Sequence, residues 1–148
     1  MAESSRRADR RGPANARFFA AGAETLGDTV LAGRADLVTV AFPWGSLLRG
    51  VLGLDGIALA GAAAVVAPGG RFDVLVSVLP SDRIDGIATL DATCEPEIRR
   101  AWAAVGLELV SMRRASTTEI AASGSSWARR LAATRDARPV WRLEACRP

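Results

Sequence analysis

Two tryptophans in this chain stand where a planar ring could be gripped. Phe42-Pro43-Trp44-Gly45-Ser46-Leu47-Leu48 follows directly on the apolar run Leu37-Val38-Thr39-Val40-Ala41. A strand that ends in Pro-Trp-Gly presents its Trp at a carboxyl edge, where open α/β sheets bind their ligands. The second tryptophan, in Ser125-Ser126-Trp127-Ala128-Arg129-Arg130-Leu131, sits among two serines and two arginines. Aromatic faces exposed at such an edge can hold a planar ring by stacking, so Trp44 and Trp127 are the candidate catalytic residues. Trp102, on the apolar face of a predicted helix, and Trp141, inside a predicted strand, read as core.

Other chemistries lack their residues. The chain contains no His and no Tyr, and no cluster of metal-ligand types or nucleophile elbow accompanies the tryptophans. Hydrolysis by a triad or by a zinc-bound water therefore has no support, and no metal is expected. Pro68-Gly69-Gly70 reads as a helix stop, because no Gly-x-Gly-x-x-Gly fingerprint or phosphate loop goes with it. Cys94 and Cys146 are too few for a disulfide framework, which fits a reducing cytoplasm. Cys94 has no activating neighbour in the sequence and reads as inert.

The elements that must position these residues come from the apolar pattern. With 148 residues, 49% hydrophobic and 24% charged, the composition is that of one globular domain able to bury a core. Residues 1–14 form a polar, basic N-terminal segment read as a helix end, and residues 15–148 form the domain. Strands are predicted over Ala16–Gly22, Ala35–Ala41, Phe72–Val78, Leu107–Met112 and Pro139–Ala145. Helices or turns are predicted over Glu24–Leu31, from Ser46, over Asp55–Ala67, Glu95–Val105 and Ser125–Thr134, with Gly106 as a C-terminal cap. Strict alternation of strand and helix argues for an α/β domain with a largely parallel sheet, its final two strands free to pair antiparallel. The apolar stretch from Ser46 to Val66 is broken by Arg49, Asp55 and four glycines, so no membrane span is expected.

All 19 basic residues are Arg, and the net charge of +3 suits a polyanionic partner. Arg6, Arg7, Arg10 and Arg11 make two pairs at i, i+4 spacing, which on a helix form one basic stripe. Arg129, Arg130 and Arg135 form a second cluster after Trp127. Contacts of this kind to phosphates position a protein without reading sequence.

The Phe-Pro-Trp-Gly-Ser-Leu-Leu and Ser-x-Trp-Ala-Arg-Arg-Leu segments, in this order and at this separation, resemble the aminoglycoside-resistance 16S rRNA methyltransferases that modify N1 of the decoding-site adenine. The resemblance runs from about Arg6 to the C-terminus. It implies a class I, Rossmann-like fold, S-adenosylmethionine as cofactor, 16S rRNA in the small ribosomal subunit as partner, and a monomer when complete. Residue by residue, it implies that Trp44 and Trp127 clamp the adenine, and that the two arginine groups dock on folded rRNA. Ala21-Gly22-Ala23-Glu24 resembles an alanine-rich segment beside the adenine end of the cofactor, so Ala23 and Glu24 are expected cofactor contacts. Ser46 and Ser125 are expected near its methionine part, Ser46 with a further expected role as a helix N-cap.

Family members begin with two further strands, which carry a glycine-rich cofactor loop and an acidic residue. The chain is therefore read as N-terminally truncated, with a gap expected in the middle of its sheet. Two other readings use the same residues: a related methyltransferase acting on another RNA or a small molecule, and an inactive fragment that binds rRNA through its arginines.

Overall fold

The computed structural model describes Ala16, residues 20–128 and residues 138–148. Four strands, β1 (Ala35–Ala41), β2 (Val66–Val76), β3 (Glu108–Arg114) and β4 (Trp141–Cys146), form one sheet in the order β1-β2-β4-β3. β1 runs parallel to β2, whereas β4 runs antiparallel to both β2 and β3. The expected antiparallel pairing of the last two strands is present. The expected dominance of parallel pairing is not, because β4 turns back from β3 and inserts between β3 and β2.

The gap expected beside a strand over Ala16–Gly22 falls on residues that lie partly outside the described ones. The four strands are contiguous, and Ala20, Ala21 and Gly22 carry no strand; from them the chain enters a 3-10 turn, Ala23–Asp28. The edges among the described residues are the outer sides of β1, which pairs only with β2, and of β3, which pairs only with β4. Pro68-Gly69-Gly70 also departs from expectation. The preceding helix ends at Ala64, and the three residues open β2 as an irregular stretch where the β1 register slips between Ala35 and Leu37. Gly69, at φ 75°, donates its N–H to the Arg147 carbonyl at 2.7 Å, and a side chain at Gly70 would meet the Ala35 carbonyl oxygen at 2.8 Å.

Four α-helices lie wholly within the described residues: α1 (Gly45–Val51), α2 (Gly56–Ala64), α3 (Glu95–Ala104) and α4 (Thr117–Ala122). Asp55 starts α2, its carboxylate accepting the N–H groups of Ile57 at 3.1 Å and Ala58 at 3.2 Å, as an N-cap does. Gly106, at φ 80°, follows α3 as its sequence position predicts. No expectation covered α4. It is announced by a capping box instead of an apolar stripe, Ser116 and Glu119 each bonding the other's backbone N–H. The helix expected over Ser125–Thr134 is present at residues 126–128, and the rest of it lies outside the described residues. No single helix among the described residues is long and apolar enough to cross a membrane.

The core lies on one face of the sheet. Phe72, Val74 and Val76 of β2, with Leu143 and Ala145 of β4, pack against Val51, Leu59, Ile98 and Trp102 of the first three helices. Trp102 is fully buried, meets Phe72 edge to face at 5.3 Å, and donates its indole N–H to the Val51 carbonyl at 2.9 Å. Both tryptophans assigned to the core are therefore in it, Trp141 being buried as well. Trp102→Ala is expected to destabilise the domain by about 3–5 kcal/mol, since it empties the centre of the core and orphans a carbonyl. Denaturant unfolding of the variant measures this.

The opposite face of the sheet is mixed, with Ala41 and Leu75 among its polar residues. It presents Thr39, Asp73, Arg142, Glu144 and Ser111, and α4 covers part of it, leaving a cavity of about 290 Å³ bounded by Thr39, Asp73, Glu119 and Arg142.

Candidate functional site

The carboxyl end of β1 is where the backbone departs from ordinary geometry. Phe42 stands at φ 53° and Gly45 at φ 62°. A left-handed conformation at a bulky residue costs on the order of 1–3 kcal/mol and is held only where the surroundings enforce it. Here the Phe42 N–H donates to the Leu75 carbonyl at 2.8 Å, which fixes the strand end. The two turns swing Trp44 outward, so that it is 85% exposed and contributes nothing to the core.

Trp127 reaches the same end of β1 from the far side of the chain. Its ring stacks on Phe42, with centroids 6.1 Å apart and planes inclined by 18°. It is still 45% exposed. The Arg138 guanidinium lies 5.3 Å from the Trp127 ring centroid. That guanidinium is itself held, by an ion pair to Asp82 and by a 3.4 Å hydrogen bond to the Ser77 hydroxyl. Phe42 thus links the two tryptophan segments, being two residues from one and stacked on the other.

Glu24 and Ser46, distant in sequence, also meet. The Ser46 hydroxyl donates to the Glu24 carboxylate, and this bond holds Glu24 below the usual carboxylate range. Ser46 is consequently not the N-cap of α1. That position belongs to Trp44, extended at φ −142°, and the Ser46 side chain turns to Glu24. Ala23 and Glu24 lie on the 3-10 turn, pressed so closely on α2 that a Cβ at Gly61 would stand 2.1 Å from the Ala23 carbonyl oxygen. Only glycine admits that approach.

Ser125 joins the second tryptophan and not the Glu24–Ser46 pair. Its hydroxyl accepts the Trp127 N–H at 3.2 Å, and its own N–H donates to the Ser123 hydroxyl at 3.3 Å. Arg6, Arg7, Arg10, Arg11, Arg129, Arg130 and Arg135 lie outside the described residues. Phe42, Asp82 and Arg138 went unassigned in the sequence. Phe42 stood inside the quoted motif, and Arg138 follows the cluster ending at Arg135, but only the fold shows that they touch Trp127. No group of three or more potential metal ligands occurs among the described residues.

A four-stranded α/β sheet with its last strand antiparallel, α1 to α3 on the core face and an aromatic cluster at the carboxyl end of β1 has the fold of S-adenosylmethionine-dependent methyltransferases. The family model described as NpmA, 16S rRNA (adenine(1408)-N(1))-methyltransferase, matches residues 1–146, and the chain belongs to that family. It is 38% identical over 103 residues to the 16S rRNA (adenine(1408)-N(1))-methyltransferase of Streptoalloteichus tenebrarius, an alignment covering 66% of this chain and 47% of the relative. Among solved structures, the 16S rRNA methyltransferase KamB superposes with a TM-score of 0.71 at 32% identity, covering 86% of this chain and 61% of that one. A tryptophan-to-alanine mutant of the adenine-N1 enzyme from Catenulisporales acidiphilia, solved with the cosubstrate SAM, gives a TM-score of 0.69 at 29% identity over 86% of this chain and 59% of that one. The chain spans about half the length of the Streptoalloteichus relative it matches.

Proposed function

We propose that the chain is the base-gripping part of an S-adenosylmethionine-dependent 16S rRNA methyltransferase that modifies N1 of the decoding-site adenine within the small ribosomal subunit, a modification that would confer aminoglycoside resistance. The observation that carries this is that Trp44 and the Phe42–Trp127 stack both stand at the carboxyl end of β1, Trp44 two residues after Phe42. One exposed indole and one half-exposed, stacked indole offer the flat faces that an extruded adenine requires.

S-adenosylmethionine supplies a methyl group already activated by its sulfonium, and adenine N1 carries its own lone pair. Positioning can then provide most of the catalysis without a general base, which agrees with a site that has no His or Tyr. Trp44 and Trp127 would hold the ring and aim N1. The residues present also suit the cofactor: an ionised Glu24 beside Ser46 accepts hydrogen bonds from amine and hydroxyl donors at the adenosine end. Ser125, whose hydroxyl accepts the Trp127 N–H, keeps that hydroxyl's own hydrogen for the methionine part of the cofactor.

Docking falls to the arginines. With Arg6, Arg7, Arg10 and Arg11 all changed to Glu, binding to the small subunit should weaken and its salt dependence should flatten, since fewer counterions are released. Affinity for the cofactor should stay the same. An unaltered slope of log K against log salt would return these residues to an ordinary solvated face.

The function is tested by joining the chain to the remaining half of the Streptoalloteichus tenebrarius relative and offering isolated small subunits with methyl-labelled S-adenosylmethionine. Label is expected in the 16S rRNA. Binding of subunits with no label transferred would favour the inactive-fragment reading.

A further inference from the structure

Helix α4 is six residues long and buries none of them. A helix of that length has no stability of its own in water, and without a buried apolar face the core cannot hold it. Beyond the half-buried Ile120, its polar contacts to the sheet among the described residues all come from one side chain. Glu119 accepts hydrogen bonds from both terminal nitrogens of Arg113 on β3, at 3.0 and 2.6 Å, and pairs with Arg142 on β4. Arg142 in turn forms a two-pronged bond with Asp73 on β2, at 3.0 and 2.6 Å, and pairs with Glu144 at 3.0 Å. Isolated surface ion pairs contribute little, but bidentate arginine contacts joined in a network define geometry. The Arg113 guanidinium, followed by Ser116 and Arg142, holds Glu119 far below the usual carboxylate range, so the anchor is charged throughout neutral pH.

The anchor continues directly into the tryptophan segment. Ser123 donates its hydroxyl to the Ile120 carbonyl at 2.7 Å, at the end of α4. The same hydroxyl accepts the Ser125 N–H at 3.3 Å, and the Ser125 hydroxyl accepts the Trp127 N–H at 3.2 Å. Two serine hydroxyls therefore peg each successive step of the chain between α4 and Trp127. The path starts on β3 and β4 and ends against Phe42 at the tip of β1.

We propose that Glu119 is a positioning residue for Trp127: held by Arg113 and Arg142, it sets where the second tryptophan stands at the carboxyl end of β1. The kinetic consequence rests on the base-gripping reading above, whereas the positional one does not. Loss of the anchor leaves α4 without its polar attachment and lets Trp127 leave Phe42. A misplaced gripping residue lowers the chemical step on the order of tenfold to a hundredfold, with the KM for S-adenosylmethionine unchanged.

Fluorescence quenching separates position from catalysis. In a Trp44→Phe background, Trp102 and Trp141 are buried and Trp127 is the exposed indole. Acrylamide quenching of the 148-residue chain should rise on Glu119→Gln, with Trp102 emission and far-ultraviolet dichroism reporting an intact core. Ser123→Ala, which leaves every ion pair in place, should raise it too. Unchanged quenching in both variants would overturn the proposal. In the protein joined to its relative's remaining half, Glu119→Gln should lower kcat and spare the KM for S-adenosylmethionine. Raised quenching together with full activity of Trp127→Ala would uphold the positioning and defeat the base-gripping reading instead.

Discussion

Trp44→Ala and Trp127→Ala should each abolish most methyl transfer by the completed protein while leaving its core folded. Stacking of a base on an aromatic side chain is worth roughly 1–3 kcal/mol, and a ring gripped on one side only also loses the aim of N1 at the methyl group. Trp44 is the cleaner test. Its ring is 85% exposed and none of the core contacts involve it, so truncation removes the grip and little else. Trp127 carries a second cost, because Phe42 and Arg138 lose the ring they contact. The Trp127→Ala variant should accordingly show some local loosening around Asp82 and Arg138 as well as the kinetic defect. Initial rates on small subunits, with thermal unfolding as a control, decide the matter; wild-type rates in both variants would remove the clamp.

What the sequence disclosed was mostly local. The strand Ala35–Ala41, the Asp55 start of α2, the Gly106 stop of α3 and the burial of Trp102 each depend on near neighbours, and each is present as read. Pro68-Gly69-Gly70 misled because such residues punctuate helices and sheet irregularities alike, and the choice between them was made by Arg147, distant in sequence. The place of β4 between β2 and β3 was equally hidden. Apolar runs mark strands but do not say which strand lies beside which, and the residues expected to form a strand before Gly22 are partly coil. At the site, both tryptophans were legible from their unusual flanks, whereas Phe42, Arg138 and Glu119 matter through contacts that no spacing announces. Ser46 was assigned a helix cap on local grounds, but the fold gave its hydroxyl to Glu24.

The second large effect concerns the cofactor. The 148-residue chain by itself should bind S-adenosylmethionine too weakly to be useful, and the same chain joined to its relative's remaining half should bind it in the micromolar range. Ala23, Glu24 and Ser46 gather on one side of the β1 tip. A dinucleotide- or nucleoside-binding sheet normally also supplies a glycine-rich turn that lets the backbone approach the ligand, and an acidic residue for the ribose. The resemblance assigns both to strands that these residues do not include. β1 also leaves its outer edge open among the described residues, with Leu37 47% exposed. An open edge invites pairing with another chain, here opposed only by Asp36 near its start, so low solubility or self-association should accompany the weak binding. Titration calorimetry on a monomeric sample of the chain is the check. Micromolar affinity would mean that the site is complete without those strands.

The most direct measurement is the position of the methyl group. Small subunits treated with the joined protein and S-adenosylmethionine should yield, on nuclease digestion and mass spectrometry of the 16S rRNA, N1-methyladenosine at a single decoding-site adenine, and none when Trp44 and Trp127 are both Ala. A methyl group at another atom or another nucleotide, or an equal yield from the double variant, would contradict the account.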